Sequence, residues 1–159
     1  MVLSNAFPTG VPEGVSDSFA DMVFDGEVSM DWVTAWDKAY TGLFGPAIEA
    51  AKATYSRPSV PSSPPLALEA YEGRYTNPYV GEAIVKREAG GLVLKVGPGE
   101  GQTTALHHFD RDLFLTYPSA DMPEMPSEVR FSIGPDSRAT AVTIDFLDGS
   151  GVGTLRRVP

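Results

Sequence analysis

Two adjacent histidines, His107 and His108, carry the side chains here that most readily bind metals or move protons near neutral pH. Because neighbouring residues on a strand point to opposite faces, the two rings cannot hold one ion together. We therefore expect one ring to be hydrogen-bonded in the interior of the fold and the other to face solvent or an interface. Neither ring is expected to act in catalysis.

Other short motifs also fit structural roles better than chemical ones. Asp110 and Asp112 are spaced like part of a calcium loop, but the glycine and the distal glutamate of an EF-hand are lacking. The glycine-rich residues 97–101 precede a strand, so no helix N-terminus can face a phosphate there. No serine has a lysine three positions later, so a Ser–Lys nucleophile pair is absent. The sequence predicts no catalytic residue, no cofactor and no metal site.

Composition narrows the class of protein further. The chain has 159 residues, with 21 acidic and 12 basic side chains, a net charge of −9 and no cysteine. This size predicts one domain, or one domain with an appendage. The acidic balance argues against nucleic acid or an anionic membrane as partner, because both attract basic surfaces. The lack of cysteine excludes disulfides and leaves the compartment undetermined, and the amino terminus lacks the features of a secretory signal.

A proline- and serine-rich stretch at residues 57–65 divides the chain. Proline fixes φ and removes a backbone donor, so this stretch is predicted to be an extended linker between residues 1–56 and 66–159. Residues 1–56 begin with a short apolar segment typical of a strand, and then follow a helical period. Three helices are predicted: one from Pro12, one from Ser29 or Asp31, and one from Pro46 to Tyr55. Their apolar positions include Val15, Phe19, Met22, Val23, Trp32 and Trp36, which have no sheet to cover.

Residues 66–159 switch to a period of two and predict eight short antiparallel strands, the number at which an up-and-down barrel closes. The predicted strands are Ala70–Tyr75, Gly81–Arg87, Gly91–Val96, Thr103–Phe109, Leu113–Tyr117, Glu128–Ile133, Ala139–Leu147 and Gly151–Val158. In the seventh strand, Val142, Ile144 and Phe146 are expected to point inward. Thr143 and Asp145 are expected to point outward.

Seven residues are candidates for the barrel interior, a ligand pocket or an interface: Tyr71, Tyr75, His108, Phe114, Phe131, Phe146 and Arg157. Aromatic fillers outnumber the small residues Gly73, Ala83, Ala141 and Gly153, which favours a filled barrel. The longest irregular connection is predicted at residues 117–126. This loop could contact another domain, or it could form a lid over the barrel mouth.

The order of several short motifs resembles a known family. The motifs are Leu68 to Gly81 (with Tyr71-Glu72-Gly73-Arg74-Tyr75-Thr76-Asn77-Pro78), Gly91 to Leu94, Leu106 to Phe109, Asp112 to Phe114, Val129 to Phe131, and Leu155 to Val158. Residues 66–159 resemble the lipocalin-like carboxy-terminal domain of beta-lactamase-related, penicillin-binding-protein-like serine hydrolases. Residues 1–56 resemble the last strand and helices of the hydrolase domain itself. The resemblance implies a mainly β fold, an eight-stranded antiparallel lipocalin-like barrel with an N-terminal helical segment.

The resemblance also implies a function without catalysis in this chain. Tyr75-Thr76-Asn77 and Lys95-Val96-Gly97 superficially match two hydrolase motifs, but both lie inside the barrel pattern. The expected role is an accessory domain that shapes substrate access or assembly, with the parent serine hydrolase domain as partner and self-association through residues 1–56. The alternative is an independent lipocalin-like carrier of a small apolar ligand, which would need an under-filled barrel.

Overall fold

Two compact units, Met1–Ala51 and Lys52–Pro159, share the chain in a computed structural model. The structure describes residues 2–4, 9–56, 61–99, 101–120, 122 and 124–159. The strand predicted at the amino terminus is not observed at Val2, Leu3 and Ser4, which have no regular secondary structure. The rest of that predicted strand lies outside the described residues.

The first unit is built from two helices, α1 (Val11–Phe24) and α2 (Trp32–Tyr55), of which α2 continues into the second unit. Pro12 lies in the first turn of α1, where its missing N–H costs nothing. Asp31 precedes α2, and its carboxylate accepts hydrogen bonds from the Thr34 backbone N–H (3.0 Å) and hydroxyl (2.7 Å). These contacts satisfy donors that the helix leaves unpaired at its start.

Pro46 corrects the prediction of a third helix. It lies inside α2, so the second and third predicted helices are one helix of 24 residues. Proline usually disfavours a helical conformation at the preceding residue, because its ring clashes with that residue's Cβ. Here the preceding residue is Gly45, which has no Cβ, and the helix continues through the proline.

The second unit is a closed antiparallel barrel in which each strand pairs with its sequence neighbours and β8 pairs with β1. The strands are β1 (Gly73–Asn77), β2 (Gly81–Glu88), β3 (Gly91–Val96), β4 (Gln102–Asp110), β5 (Leu113–Thr116), β6 (Ser127–Ile133), β7 (Ala139–Ile144) and β8 (Thr154–Val158). The predicted fold class, an eight-stranded antiparallel barrel with an N-terminal helical segment, is confirmed.

The seventh strand is shorter than predicted, and Phe146 is not part of it. Val142 and Ile144 are fully buried as expected, but residues Asp145–Leu147 form a 3₁₀ turn. The Asp148 side chain accepts a hydrogen bond from the Gly153 N–H (2.6 Å), a local bond that competes with the strand ladder. Phe146 is therefore half-buried at the edge of the core, where its N–H donates to the Ser127 hydroxyl (3.1 Å).

Two further residues differ from the strand pattern. Ala70 and Tyr71 were assigned to the first strand, but a 3₁₀ turn covers Leu68–Ala70 and the strand begins at Gly73. Tyr71 nevertheless enters the core from this turn and is completely buried. The turn thus brings an aromatic ring to the end of the barrel at which β1 begins.

Candidate functional surfaces of the two units

Three hydrogen bonds of the same kind join α1 to α2. Glu13, Asp17 and Asp21 are spaced four residues apart on α1, and Trp32, Trp36 and Tyr40 are spaced four apart on α2. The indole N–H of Trp32 donates to Asp21 (2.7 Å), the indole N–H of Trp36 donates to Asp17 (2.7 Å), and the Tyr40 hydroxyl donates to Glu13 (3.0 Å). We call these six residues the acid–aromatic ladder.

Close backbone approach accompanies the ladder. A Cβ on Gly14 would lie 2.7 Å from the Val33 Cα, and one on Gly10 would lie 2.6 Å from the Trp36 Cβ. Both glycines let the helices come near enough for the short acidic side chains to reach the aromatic donors. Hydrogen bonds from the Ser29 hydroxyl, the Trp32 indole and the Ser29 N–H lower the pKa of Asp21 against a small opposing effect of burial.

The ladder places the polar side of α1 against α2 and leaves its apolar side exposed. Positions 15, 19, 22 and 23 fall on the side of the helix opposite to positions 13, 17 and 21, because the helix turns 100° per residue. The exposed fractions on this apolar side are 45% for Val15, 70% for Phe19, 54% for Met22 and 58% for Val23. We call these four residues the apolar face of α1. An ordinary surface helix buries such a face.

Four of the seven candidate residues fill the barrel interior. The rings of Tyr71, Phe114 and Phe131 contact one another with centroids 4.9 to 5.6 Å apart, and Tyr75 lies 6.1 Å from Phe131. None of the four is more than 4% exposed. Close ring contacts of this kind occupy the space in which a carrier barrel would hold its ligand.

Tyr71 also fastens the segment before the barrel. Its hydroxyl donates to the Asp112 carboxylate (2.9 Å) and accepts from the Leu66 N–H (2.9 Å). Ser63 exchanges two further bonds with the β4–β5 turn, donating to Asp110 (2.7 Å) and accepting from the Arg111 N–H (2.8 Å). Asp110 and Asp112 therefore anchor the incoming chain.

Both histidines are exposed, which corrects the expectation that one is interior. His108 follows Leu106 on the inward side of β4, but it lies next to the irregular pairing between His108 and Asp110, where the strand leaves the regular register. Its ring contacts the Phe114 ring in a T-shaped arrangement (5.5 Å between centroids), and Nε2 lies 3.2 Å from the Arg111 carbonyl oxygen. His107 contacts Tyr117 on the other side of the strand. Among the described residues, no three acidic or histidine side chains form a metal-ligand cluster.

The Tyr75-Thr76-Asn77 motif has a structural role at both of its polar ends. The Tyr75 hydroxyl donates to the Tyr71 carbonyl oxygen (2.6 Å), and the Asn77 amide donates to the carbonyl oxygens of Val152 (2.6 Å) and Thr154 (3.0 Å). Burial raises the pKa of Tyr75 to about 12, against the opposing charges of Arg157 and Arg138. The phenol is thus held neutral and its proton is committed to a backbone acceptor.

The last turn of α2 contacts the outside of the barrel. The Tyr55 hydroxyl donates to Glu128 (2.8 Å), and the rings of Tyr55 and Phe109 form a T-shaped contact with centroids 5.8 Å apart. Lys52 forms an ion pair with Glu124. Burial and the Glu128 carboxylate raise the pKa of Tyr55 to about 12. Glu124 lies in the connection before β6, and its ion pair with Lys52 joins this residue to the last turn of α2.

Arg157, the seventh candidate, lies at the seam that closes the barrel. Tyr75 and Arg157 are directly paired between β1 and β8, so both side chains point to the same, inward face. The Arg157 guanidinium lies over the Tyr75 ring, 5.5 Å from its centroid. A Cβ on Gly73 would lie 2.6 Å from Nη2 of Arg157, so the absence of a side chain at Gly73 makes room for the guanidinium.

A cavity of about 530 Å³ opens beside this guanidinium. It is lined by the start of β1, the β6–β7 turn and the end of β8, including Gly73, Arg138, Ala139, Arg157 and Val158. Arg157 was predicted from the sequence as a candidate residue, but Arg138 was not. The antiparallel pairing of β7 with β8 brings the β6–β7 turn next to the end of β8.

Comparison with known proteins identifies the barrel region. A family model described as "Domain of unknown function (DUF3471)" matches residues 57–152, which is more than half of the chain. The chain belongs to this family. None of the curated proteins matches the chain.

A solved structure similar to this DUF3471 chain is the crystal structure of the C-terminal domain of penicillin binding protein Rv0907. The two are 29% identical with a TM-score of 0.56, and the match covers 64% of this chain and 94% of the other. The chain is therefore related to the C-terminal domain of a penicillin-binding protein. The family match includes Gly73, Tyr75 and Arg138, whereas α1 and Arg157 lie outside it. No helix in the described part of the chain is both long and apolar enough to cross a bilayer.

Proposed function

We propose that this chain is a non-catalytic accessory domain of a penicillin-binding-protein-like serine hydrolase, and that the apolar face of α1 docks on the hydrolase domain. The relation to a penicillin-binding-protein C-terminal domain supports the accessory role. The observation that carries the docking proposal is the exposure of the apolar face while the opposite, polar side of α1 is used by the acid–aromatic ladder.

The energetics of the apolar face support docking. Burying a large apolar side chain contributes about 1.5–3 kcal/mol, so Phe19, Met22 and Val23 together favour any partner that covers them. Contiguous exposed apolar patches on soluble proteins mark interaction sites. Rotation of α1 to hide this face inside its own unit would break the three ladder hydrogen bonds. The two helices therefore cannot keep the ladder hydrogen bonds and also bury the apolar face of α1 by themselves.

The barrel contributes stability and shape to this proposal. Its interior is occupied by Tyr71, Tyr75, Phe114 and Phe131, which favours an architectural role over the carrier alternative. The strand number and the up-and-down order support a lipocalin-like assignment, which is part of this proposal. The finer role that we assign to the barrel is to hold the docking helices beside the hydrolase and to shape access to its substrate site.

The test uses the chain without a hydrolase, where a second copy is the available cover for the apolar face. Light scattering should show a dimer or larger species for the natural chain, and a monomer for the double variant Phe19→Ser and Met22→Ser. The matched control is Tyr79→Ser, which removes an aromatic residue that is 79% exposed on the barrel. This control should leave the association unchanged.

Two results would contradict the proposal. A natural chain that stays monomeric at high concentration would show that the apolar face drives no association. Loss of association in Tyr79→Ser, with no change in the double variant, would move the contact from α1 to the barrel.

A further inference from the structure

Arg157 holds a polar atom that the described structure leaves without a partner. Its Nε is buried, and no acceptor among the described residues reaches it. Buried N–H groups in proteins are nearly always hydrogen-bonded to protein, water or ligand, so each exception needs an explanation. The guanidinium cannot lose its charge to relieve the problem, because arginine stays protonated in proteins.

The other charged groups around the cavity have partners of their own. Arg74 donates to Glu82 (2.8 Å), Glu72 lies 3.4 Å from Arg87, and Asp136 accepts from the Arg138 backbone N–H (3.2 Å). Among the described carboxylates, none forms an ion pair with the side chains of Arg138 or Arg157. Two unneutralised guanidiniums therefore share one cavity, in a chain whose net charge is −9.

The geometry of Arg157 is fixed before any ligand arrives. Its side chain is held over the Tyr75 ring and fits against the backbone of Gly73. A pre-positioned arginine fork loses less freedom on binding than a mobile one, and it matches the two oxygens of a carboxylate. The charges of both arginines oppose the effect of burial, which raises the pKa of Tyr75.

We propose that the cavity between β1, the β6–β7 turn and β8 binds a small organic ligand through its carboxylate, which Arg157 holds in a bidentate pair and Arg138 reinforces. The two Nη–H groups at the end of the Arg157 guanidinium donate to the two carboxylate oxygens, since Nε itself is buried. The apolar part of the ligand contacts Val158.

A carboxylate fits this site better than phosphate. Glu72 and Asp136 also line the cavity, and their charges disfavour an anion with two negative charges. The volume of about 530 Å³ is within the range of small-molecule sites and exceeds what a bare ion needs. A single carboxylate on a partly apolar body satisfies both conditions.

Calorimetric titration of the full chain tests the proposal with three probes: N-acetylalanine, its amide, and inorganic phosphate. N-acetylalanine should bind, and the amide should not. Arg157→Gln should weaken binding about tenfold or more, the usual effect of losing a charge-assisted pair. Arg157→Lys keeps the charge without the fork and should also weaken binding. The matched control is Arg156→Gln, an exposed arginine on the same strand that points to the other face.

A second measurement does not depend on a variant. The Nε–H signal of Arg157 in nitrogen-15 spectra of the natural chain should shift on addition of N-acetylalanine and stay in place with the amide. The proposal is overturned if the acid leaves that signal unmoved or if the amide shifts it equally. It is also overturned if phosphate binds as tightly as the acid, or if Arg156→Gln loses as much affinity as Arg157→Gln.

Discussion

The two units use aromatic residues in opposite ways. In the barrel, Tyr71, Phe114 and Phe131 contact one another in the interior and lose nearly all contact with water. In the helical unit, Trp32, Trp36 and Tyr40 donate hydrogen bonds to carboxylates, while apolar residues such as Phe19 stay exposed. The barrel is stabilised by burial, whereas the helices depend on polar contacts and leave their capacity for burial unused.

The two units differ in how far they cover their own apolar side chains. A barrel that covers its own apolar side chains needs no partner for stability. Under the docking proposal, the exposed apolar face of the helix pair is covered by a surface outside it. The hydrogen bonds of the acid–aromatic ladder depend on the charge of their acidic acceptors. We therefore expect the barrel to be the more stable unit and the helical unit to be the more sensitive to acid.

Truncation of one aromatic ring in each unit should give the largest contrast. Phe131→Ala should destabilise the barrel by about 3–5 kcal/mol, because the ring is 4% exposed and its loss leaves a cavity among three other rings. Phe24→Ala, at a residue that is 82% exposed, should change stability by no more than about 0.5 kcal/mol. Denaturation in urea, followed by circular dichroism, measures both. Equal midpoints for the natural chain and Phe131→Ala would contradict the assignment of this ring to the core.

Alkali should destabilise the barrel by a smaller amount. Burial raises the pKa of Tyr71 and Tyr75 to about 12, above the ordinary value near 10. A raised pKa stabilises the fold fully below about pH 10, and this contribution is lost as the pH rises toward 12. Thermal unfolding temperatures across this range should fall, and they should fall less steeply for Tyr75→Phe. An equally steep fall in that variant would show that this phenol does not contribute.

Acid should have the smallest effect, and it should act on the helical unit first. Because its hydrogen bonds lower the pKa of Asp21, they stabilise the fold above about pH 4 and are lost as the pH falls further. The only two tryptophans, Trp32 and Trp36, both lie in this unit, so fluorescence reports on it separately from the barrel.

Asp21→Asn should reduce the acid-induced change in fluorescence. Asp25→Asn is the control, since no side-chain donor in the described structure reaches Asp25. A loss of barrel circular dichroism at the same pH as the change in fluorescence would show that the two units unfold together.

Much of the barrel could be predicted because its strands and turns are defined by residues close together in the sequence. The β2–β3 hairpin was predicted to within one residue, since the alternation of Val85, Leu92 and Leu94 and the glycines at its turn define both strands. The wrong bounds of α2 and β7 also have local causes, but the hydrophobic periodicity of the sequence does not reveal them. Gly45 has no Cβ to clash with the ring of Pro46, and the helix continues through this proline. A 3₁₀ turn follows β7 at Asp145, close to the local bond between Asp148 and Gly153.

The candidate surfaces were harder to predict because they depend on how the strands pair. The pairing of β7 with β8 brings Arg138 near Arg157, and the return of β8 to β1 places Arg157 beside Tyr75. His108 lies next to an irregular register at the end of β4. The spacing of Glu13, Asp17 and Asp21 was visible in the sequence, as was that of the aromatic residues on α2. That each acid would meet one aromatic donor follows only from the antiparallel packing of the two helices.

The closure of the barrel between β1 and β8 has a consequence for how copies of this chain can meet. A sheet with a free edge offers unpaired backbone groups on which further strands can add, and this is the usual route to fibrils. The closed ring offers no such edge, because every strand has two neighbours. Association of this chain is thereby limited to side-chain contacts, which we propose the helices supply. We expect assemblies that are small, reversible on dilution and free of cross-β order.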